Sequence, residues 1–186
     1  MKKLVVMIFL SASLWASTVT FKGEEVTLNS KGLSVGMDAP VFPAVTKEFQ
    51  EIMVGGKSDK IQVIGFIPSF DTDICKLETL AFNEKISKMK NVLVTLVSKD
   101  LPFSINKFCK DNKITNVKTV SDYKDENVAL RYGSTISAPV FLEGFFARVV
   151  YVIDTNGKVV YQEVVSKIED EPNYAEIIKV INGLSK

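Results

Sequence analysis

The sequence predicts an α/β domain: a mixed central sheet flanked by helices, with a β-hairpin at its N-terminal end. Three observations carry this. Continuous apolar runs at 60–67 and 91–98 read as buried strands. A stretch close to helical spacing follows the first and a short helix with Pro102 near its start follows the second, so strand and helix alternate, as they do where parallel strands are joined by crossover helices. Near the end, "ARVVYVIDTNGKVVYQEVV" sets Asn156-Gly157 between two β-rich runs, which marks an antiparallel hairpin. Parallel and antiparallel neighbours together make the sheet mixed. The 186 residues suffice for one hydrophobic core, and 46% apolar residues argue against disorder.

Each element has its own signal. "VTFKGEEVTL" alternates apolar and polar residues around Lys22-Gly23 and reads as a hairpin. "VGMDAPVFPAV" is rich in Gly and Pro and reads as an extended connector. "KIQVIGFI" is a strand stopped by Pro68. Residues 73–89 place Ile74, Leu77, Leu80, Ala81 and Ile86 close to helical spacing. "NVLVTLVS" is the next strand, "LPFSINKFCKDN" a short helix with Pro102 near its start, and "VKTVSD" a short strand. "ENVALRYG" is a helix closed by Gly133. The 147–165 hairpin and the helix "EPNYAEIIKVINGL" complete the chain. The order βαβ followed by ββα is that of a thioredoxin-like core with additions. No repeat or linker divides it, so residues 18–186 form one domain.

Residues 1–16 differ from the rest. "MKK" is a basic start, "LVVMIFL" an apolar run and "SASLWAS" a stretch containing small residues, the layout of a secretory signal peptide. The run is too short for a membrane-spanning helix. The cleavage point is not fixed, because Leu14 or Trp15 would stand at the minus-three position. The expectation is an exported, periplasmic protein with no membrane contact in its mature form. In an oxidising compartment two cysteines tend to pair.

Composition excludes several chemistries. There is no histidine, so Ser-His-Asp triads, Cys-His pairs and histidine-ligated zinc or haem are ruled out. Two cysteines cannot hold a structural zinc or an iron–sulfur cluster. With 23 basic against 22 acidic residues and no basic stripe, nothing points to nucleic acid.

What remains is thiol chemistry. Cys75 falls in the first turn of a helix, after "PSFDTDI". Unpaired amides and the positive end of the helix dipole there favour a thiolate, the nucleophilic form. Asp71 or Thr72 can cap the helix, while Asp71 and Asp73 oppose ionisation if they point at the sulfur. A small core filler is the bland alternative for Cys75. Arg148 is the only charge between Glu143 and Asp154. It either faces water or points at the Cys75 thiolate, because a buried guanidinium needs an anion.

The residues Pro68, Thr72 and Cys75, spaced as in "PSFDTDIC", resemble the active-site pattern of the peroxiredoxins. "DLPFSINKFC", "VTFKG", "SDY", "FFARVVYVID", "NGKVVY" and "EPNY" are similar, in the same order, to bacterial thiol peroxidases, the atypical two-cysteine subgroup. The likeness runs over about residues 18–184. It implies a thioredoxin-like fold, a homodimer, and no metal or organic cofactor. It implies that Cys75 is the peroxidatic cysteine and Cys109 the resolving one, the two closing a redox disulfide within the chain. Thr72 would hydrogen-bond the thiolate and the incoming peroxide, Pro68 would shield the pocket from water, and Arg148 would be the subgroup's second-half arginine. Asp73 stands where the subgroup commonly has a helix-starting proline, and "STISAPVFLEG" departs from the pattern.

The implied activity is antioxidant: reduction of hydrogen peroxide and alkyl hydroperoxides through a sulfenic acid and the Cys75–Cys109 disulfide, with thioredoxin or another dithiol as reductant. Phe70, Phe103 and Phe108 are candidate apolar walls for the alkyl group by sequence proximity, with core packing the favoured role for at least two of them. Forming the disulfide would require both cysteine-bearing helices to unwind in part. The competing reading is an exported thioredoxin-like binding or structural domain, its disulfide worth roughly 3–4 kcal/mol of stability. A disulfide oxidoreductase acting on proteins would usually carry Cys-x-x-Cys, which is absent.

Overall fold

The computed structural model describes residues 18–124 and 131–185. The expected leader lies outside these residues, as does most of the helix expected over 126–132. The chain runs β1 (Val19–Phe21), β2 (Glu24–Leu28), β3 (Phe42–Thr46), β4 (Glu51–Val54), β5 (Ile61–Phe66), α1 (Asp73–Ala81), β6 (Val92–Ser98), α2 (Pro102–Asp111), β7 (Lys118–Ser121), β8 (Ile136–Ala138), β9 (Val149–Ile153), β10 (Val159–Val164) and α3 (Tyr174–Leu184). The main sheet has seven strands in the order β10-β9-β5-β6-β7-β3-β4. β5, β6 and β7 are parallel, and β9, β10, β3 and β4 pair antiparallel, so the sheet is mixed as expected.

The β5–β6 and β6–β7 crossovers step the same way across the sheet. With the usual right-handed connection, α1 and α2 must then cover the same face. Ile86, Ile105, Cys109, Ile177 and Ile181 share one core cluster with Val63, Val94 and Val150, so α3 packs on that face too. The other face carries Ile64, Phe66, Val97 and Tyr151, covered by Val19 and Val26 of the β1–β2 hairpin and by Tyr132. That hairpin turns at Lys22 (φ 51°) and Gly23 (φ 84°), and β8 extends it to a three-stranded sheet.

Two local expectations change. The stretch at 35–45 is not only a connector, because its second half is β3, which pairs with β4 and with β7. The Gly and Pro residues concealed it, and Pro43 is tolerated because β7 pairs only with Val45 and Thr46, leaving β3 edge-like on that side at Pro43. The helix expected over 73–89 is α-helical only to Ala81 and then widens into a π-helical turn, Phe82–Ile86. Asn83 in that turn accepts from the amides of Thr115 (3.1 Å) and Asn116 (2.8 Å), which ties α1 to the loop before β7.

Candidate active site

α1 begins where the loop after β5 turns back over the C-terminal edge of the parallel strands. Asp100 fixes that loop: its carboxylate accepts from the Ser69 hydroxyl (2.8 Å) and the Phe70 amide (2.7 Å). Thr72 is the N-cap, extended at φ −122°, and its Oγ1 accepts from the Cys75 amide at 3.3 Å. Asp73 is therefore not the cap. It is exposed in the first turn, where an acidic side chain suits the helix dipole.

Cys75 is fully buried, on the inner face of α1. Arg148, just before β9, is 1% exposed and lies beneath it. Its Nη1 and Nη2 each stand 3.6 Å from Cys75 Sγ, so the arginine points at the sulfur rather than at water. Nη1 also donates to Glu78 Oε2. Nε and Nη2 donate to the Ile168 carbonyl at 3.3 and 2.9 Å. All five N–H donors of the guanidinium are thus engaged, and a substrate oxygen gains one only when a present bond is released. Burial alone would lower the Arg148 pKa; the neighbouring Glu78 and Cys75 outweigh it and raise it.

Glu78 is the residue that sequence reasoning missed. It is fully buried, and burial pushes its carboxyl up to about 7 against the opposing pull of Arg148. Its Oε1 is buried with no hydrogen-bond partner. Gly65 of β5 lies beneath: a Cβ there would come within 2.6 Å of Leu96 and 3.9 Å of Glu78 Oε1. A signal was present, since Glu78 follows Cys75 by three residues and so shares its helix face.

Cys109 sits near the end of α2, 3% exposed, with Sγ 3.3 Å from the Thr119 hydroxyl of β7. Burial pushes its thiol pKa up, and the Thr119 contact offsets this only in part. Both cysteines are free thiols on separate helices. Pro68 is half-buried at the start of the fixed loop, with no hydrogen bond or ring contact to the sulfur among those described. A cleft of about 420 Å³ opens beside Thr72, between the start of α1 and α2. Phe70 and Phe108 line it, their rings 5.3 Å apart. Phe103 does not line it: it is exposed and packs edge-on against Phe49 at 4.6 Å.

Comparison with known proteins gives a consistent picture. The family model described as AhpC/TSA family matches residues 35–162. A thiol peroxidase of Aquifex aeolicus is 44% identical over 169 residues, covering 91% of this chain and 99% of that protein. One from Bacillus subtilis is 39% identical over 168 residues, covering 90% and 98%. Among solved structures, a peroxiredoxin-like protein from Aquifex aeolicus superposes with a TM-score of 0.86 at 44% identity, covering 91% of this chain and 98% of that one. A thiol peroxidase from Chromobacterium violaceum gives 0.82 at 18% identity over 91% and 98%, a likeness of fold alone.

Proposed function

The chain belongs to the AhpC/TSA family and is a thiol-dependent, peroxide-reducing enzyme, and from that premise we propose that Cys75 is the thiol that meets the peroxide. The observation that carries this is the guanidinium of Arg148, 3.6 Å from a sulfur in the first turn of a helix. A cation and a helix N-terminus converging on one sulfur favour negative charge there. The thiolate attacks the distal peroxide oxygen; the S–O bond forms as the O–O bond breaks, and water or an alcohol leaves. The sulfur becomes a sulfenic acid.

Thr72 is exposed at the cleft, and its hydroxyl holds only a long 3.4 Å bond to the Ser69 carbonyl, so it is placed to turn to a peroxide oxygen. Phe70 and Phe108 offer the apolar walls that an alkyl hydroperoxide needs. Pro68 caps the loop against water. Arg148 polarises the O–O bond once it exchanges one of its bonds for the substrate. Cys109 condenses with the sulfenic acid, giving the Cys75–Cys109 disulfide and water. Thioredoxin or another dithiol then reduces that disulfide. The residue chemistry asks for no metal or organic cofactor. The working form is a homodimer, exported to the periplasm under the leader at 1–16. The competing reading, a binding domain stapled by a disulfide, is disfavoured by the identity to thiol peroxidases.

The test is rapid-quench oxidation of the reduced protein by hydrogen peroxide and by an organic hydroperoxide, with mass analysis of each thiol. Cys75→Ser should abolish peroxide consumption. Cys109→Ser should allow one oxidation per chain and accumulate sulfenic acid. Undiminished turnover in Cys75→Ser defeats the proposal.

A further inference from the structure

Cys75, Arg148 and Glu78 form a closed group with 0%, 1% and 0% exposure. It contains one cation and two side chains able to carry a negative charge, both bonded to Arg148 Nη1. With both ionised, the group would hold a net negative charge out of water, which is costly. With one ionised, it is neutral. We propose that Cys75 and Glu78 share a single negative charge, so that Glu78 is protonated while Cys75 is a thiolate and gives up that proton when Cys75 is oxidised. The inference rests on the reading of Cys75 as the peroxidatic thiol.

Several independent features agree. Glu78 Oε1 has no partner and so has room for a proton, and Oε2 alone meets the guanidinium. Burial holds the Glu78 pKa at about 7, against an ordinary 4.5. Glu171 and Glu163 lie near enough to oppose its ionisation further, and Tyr174 of α3 feels its charge. Among the described residues, Arg148 is the cation that acts on it.

The reaction then balances within the site. The sulfur pair forms the S–O bond, the O–O bond breaks, sulfur loses two electrons and the peroxide gains them. The leaving oxygen takes one proton, and Glu78 releases one. The uncharged sulfenic acid no longer faces Arg148 as an anion, and the Glu78 carboxylate takes over that pairing. The site is neutral before and after, so peroxide reduction draws no net proton from solvent. Glu78 meets Arg148, not the substrate, so it acts by charge balance and positioning. The following condensation with Cys109 changes no charge, because a thiol and a sulfenic acid give a disulfide and water.

The experiment oxidises the reduced protein with one equivalent of hydrogen peroxide at about pH 8, above the value of about 7 to which burial pushes Glu78 beside an uncharged sulfur. Thiolate absorbance, proton uptake by an indicator dye in weak buffer, and thiol mass are followed together. The expected result is thiolate before mixing, Cys75 oxidised after it, and no net proton taken up. Glu78→Gln keeps an acceptor for Arg148 but has no proton to release, and should take up one proton per sulfur oxidised. One proton per sulfur in the unmodified protein overturns the inference, as does a Cys75 that starts as thiol. No uptake in Glu78→Gln also overturns it. If that variant does not fold, infrared difference spectra of the unmodified protein decide: a protonated-carboxyl band must be lost on oxidation, and its persistence rejects the idea. An unoxidised sulfur is a different failure, that of the peroxidase assignment itself.

Discussion

Arg148 meets the sulfur, Glu78 and the Ile168 carbonyl at once because its donors form a flat fork. A lysine ammonium cannot span those three partners. Arg148→Lys should therefore lower kcat/KM for peroxide by about 10²-fold, read in competition kinetics with a second peroxide consumer; an unchanged rate would remove Arg148 from the mechanism. Thr72 has two separable roles. As N-cap its loss costs about 1 kcal/mol, and its hydroxyl lines the cleft with only a long 3.4 Å bond to the Ser69 carbonyl. Thr72→Ser should keep both stability and rate, whereas Thr72→Ala should lose both, by urea titration and single-turnover oxidation. At this scale Cys75, Thr72 and Arg148 were legible in the sequence, since a cysteine at a helix start and an arginine in an apolar run are local anomalies. Glu78 was not, because a glutamate on a helix ordinarily faces water. The cleft position of Phe70 and Phe108, with Phe103 turned outward, was likewise not readable from proximity alone.

The elements carrying the two cysteines are differently anchored. α1 is held by its Thr72 cap, by the loop that Asp100 fixes and by the π-helical turn tied through Asn83. α2 holds Cys109 against Thr119. Each sulfur is buried in its own helix, while a disulfide needs the two Cα atoms within about 7 Å. The first turns of α1 and the last turns of α2 should therefore lose hydrogen-exchange protection in the oxidised form. Equal protection in both forms would show that neither helix unwinds. The buried face of α1 and its π-helical turn is one the periodicity could not show. Apolar spacing placed Leu77 on the inner face, yet it is half exposed, and the buried face is Cys75, Glu78, Thr79, Phe82 and Asn83. A helix whose buried face carries polar and reactive groups defeats a rule built on apolar spacing. β3 and β4 were hidden for a related reason: edge pairs need little apolar sequence of their own.

For the whole molecule, the buried carboxyl leaves a pH signature. Beside an uncharged sulfur, burial pushes the folded Glu78 carboxyl up to about 7, from an ordinary 4.5. Between those values the folded chain holds a proton that the unfolded chain has lost, so stability falls as pH rises through that window and levels off above it. The loss attributable to this group is on the order of 3 kcal/mol. Glu78→Gln should flatten that part of the stability curve, read as the difference in urea midpoints between about pH 4.5 and 7; parallel curves would show that Glu78 does not titrate there. The sequence by itself determined the order of the parallel strands and the helices between them, both hairpin turns, the helix-start setting of Cys75 and the family. These rest on neighbours a few residues apart, where backbone geometry and side-chain spacing act directly. The tertiary structure alone decided what surrounds the sulfur. Glu78, Arg148 and Ile168 are far apart in the chain and meet because β5 and β9 pair antiparallel beneath α1. Which charge is buried, and which partner it finds there, depends on that long-range closure, which local sequence does not encode.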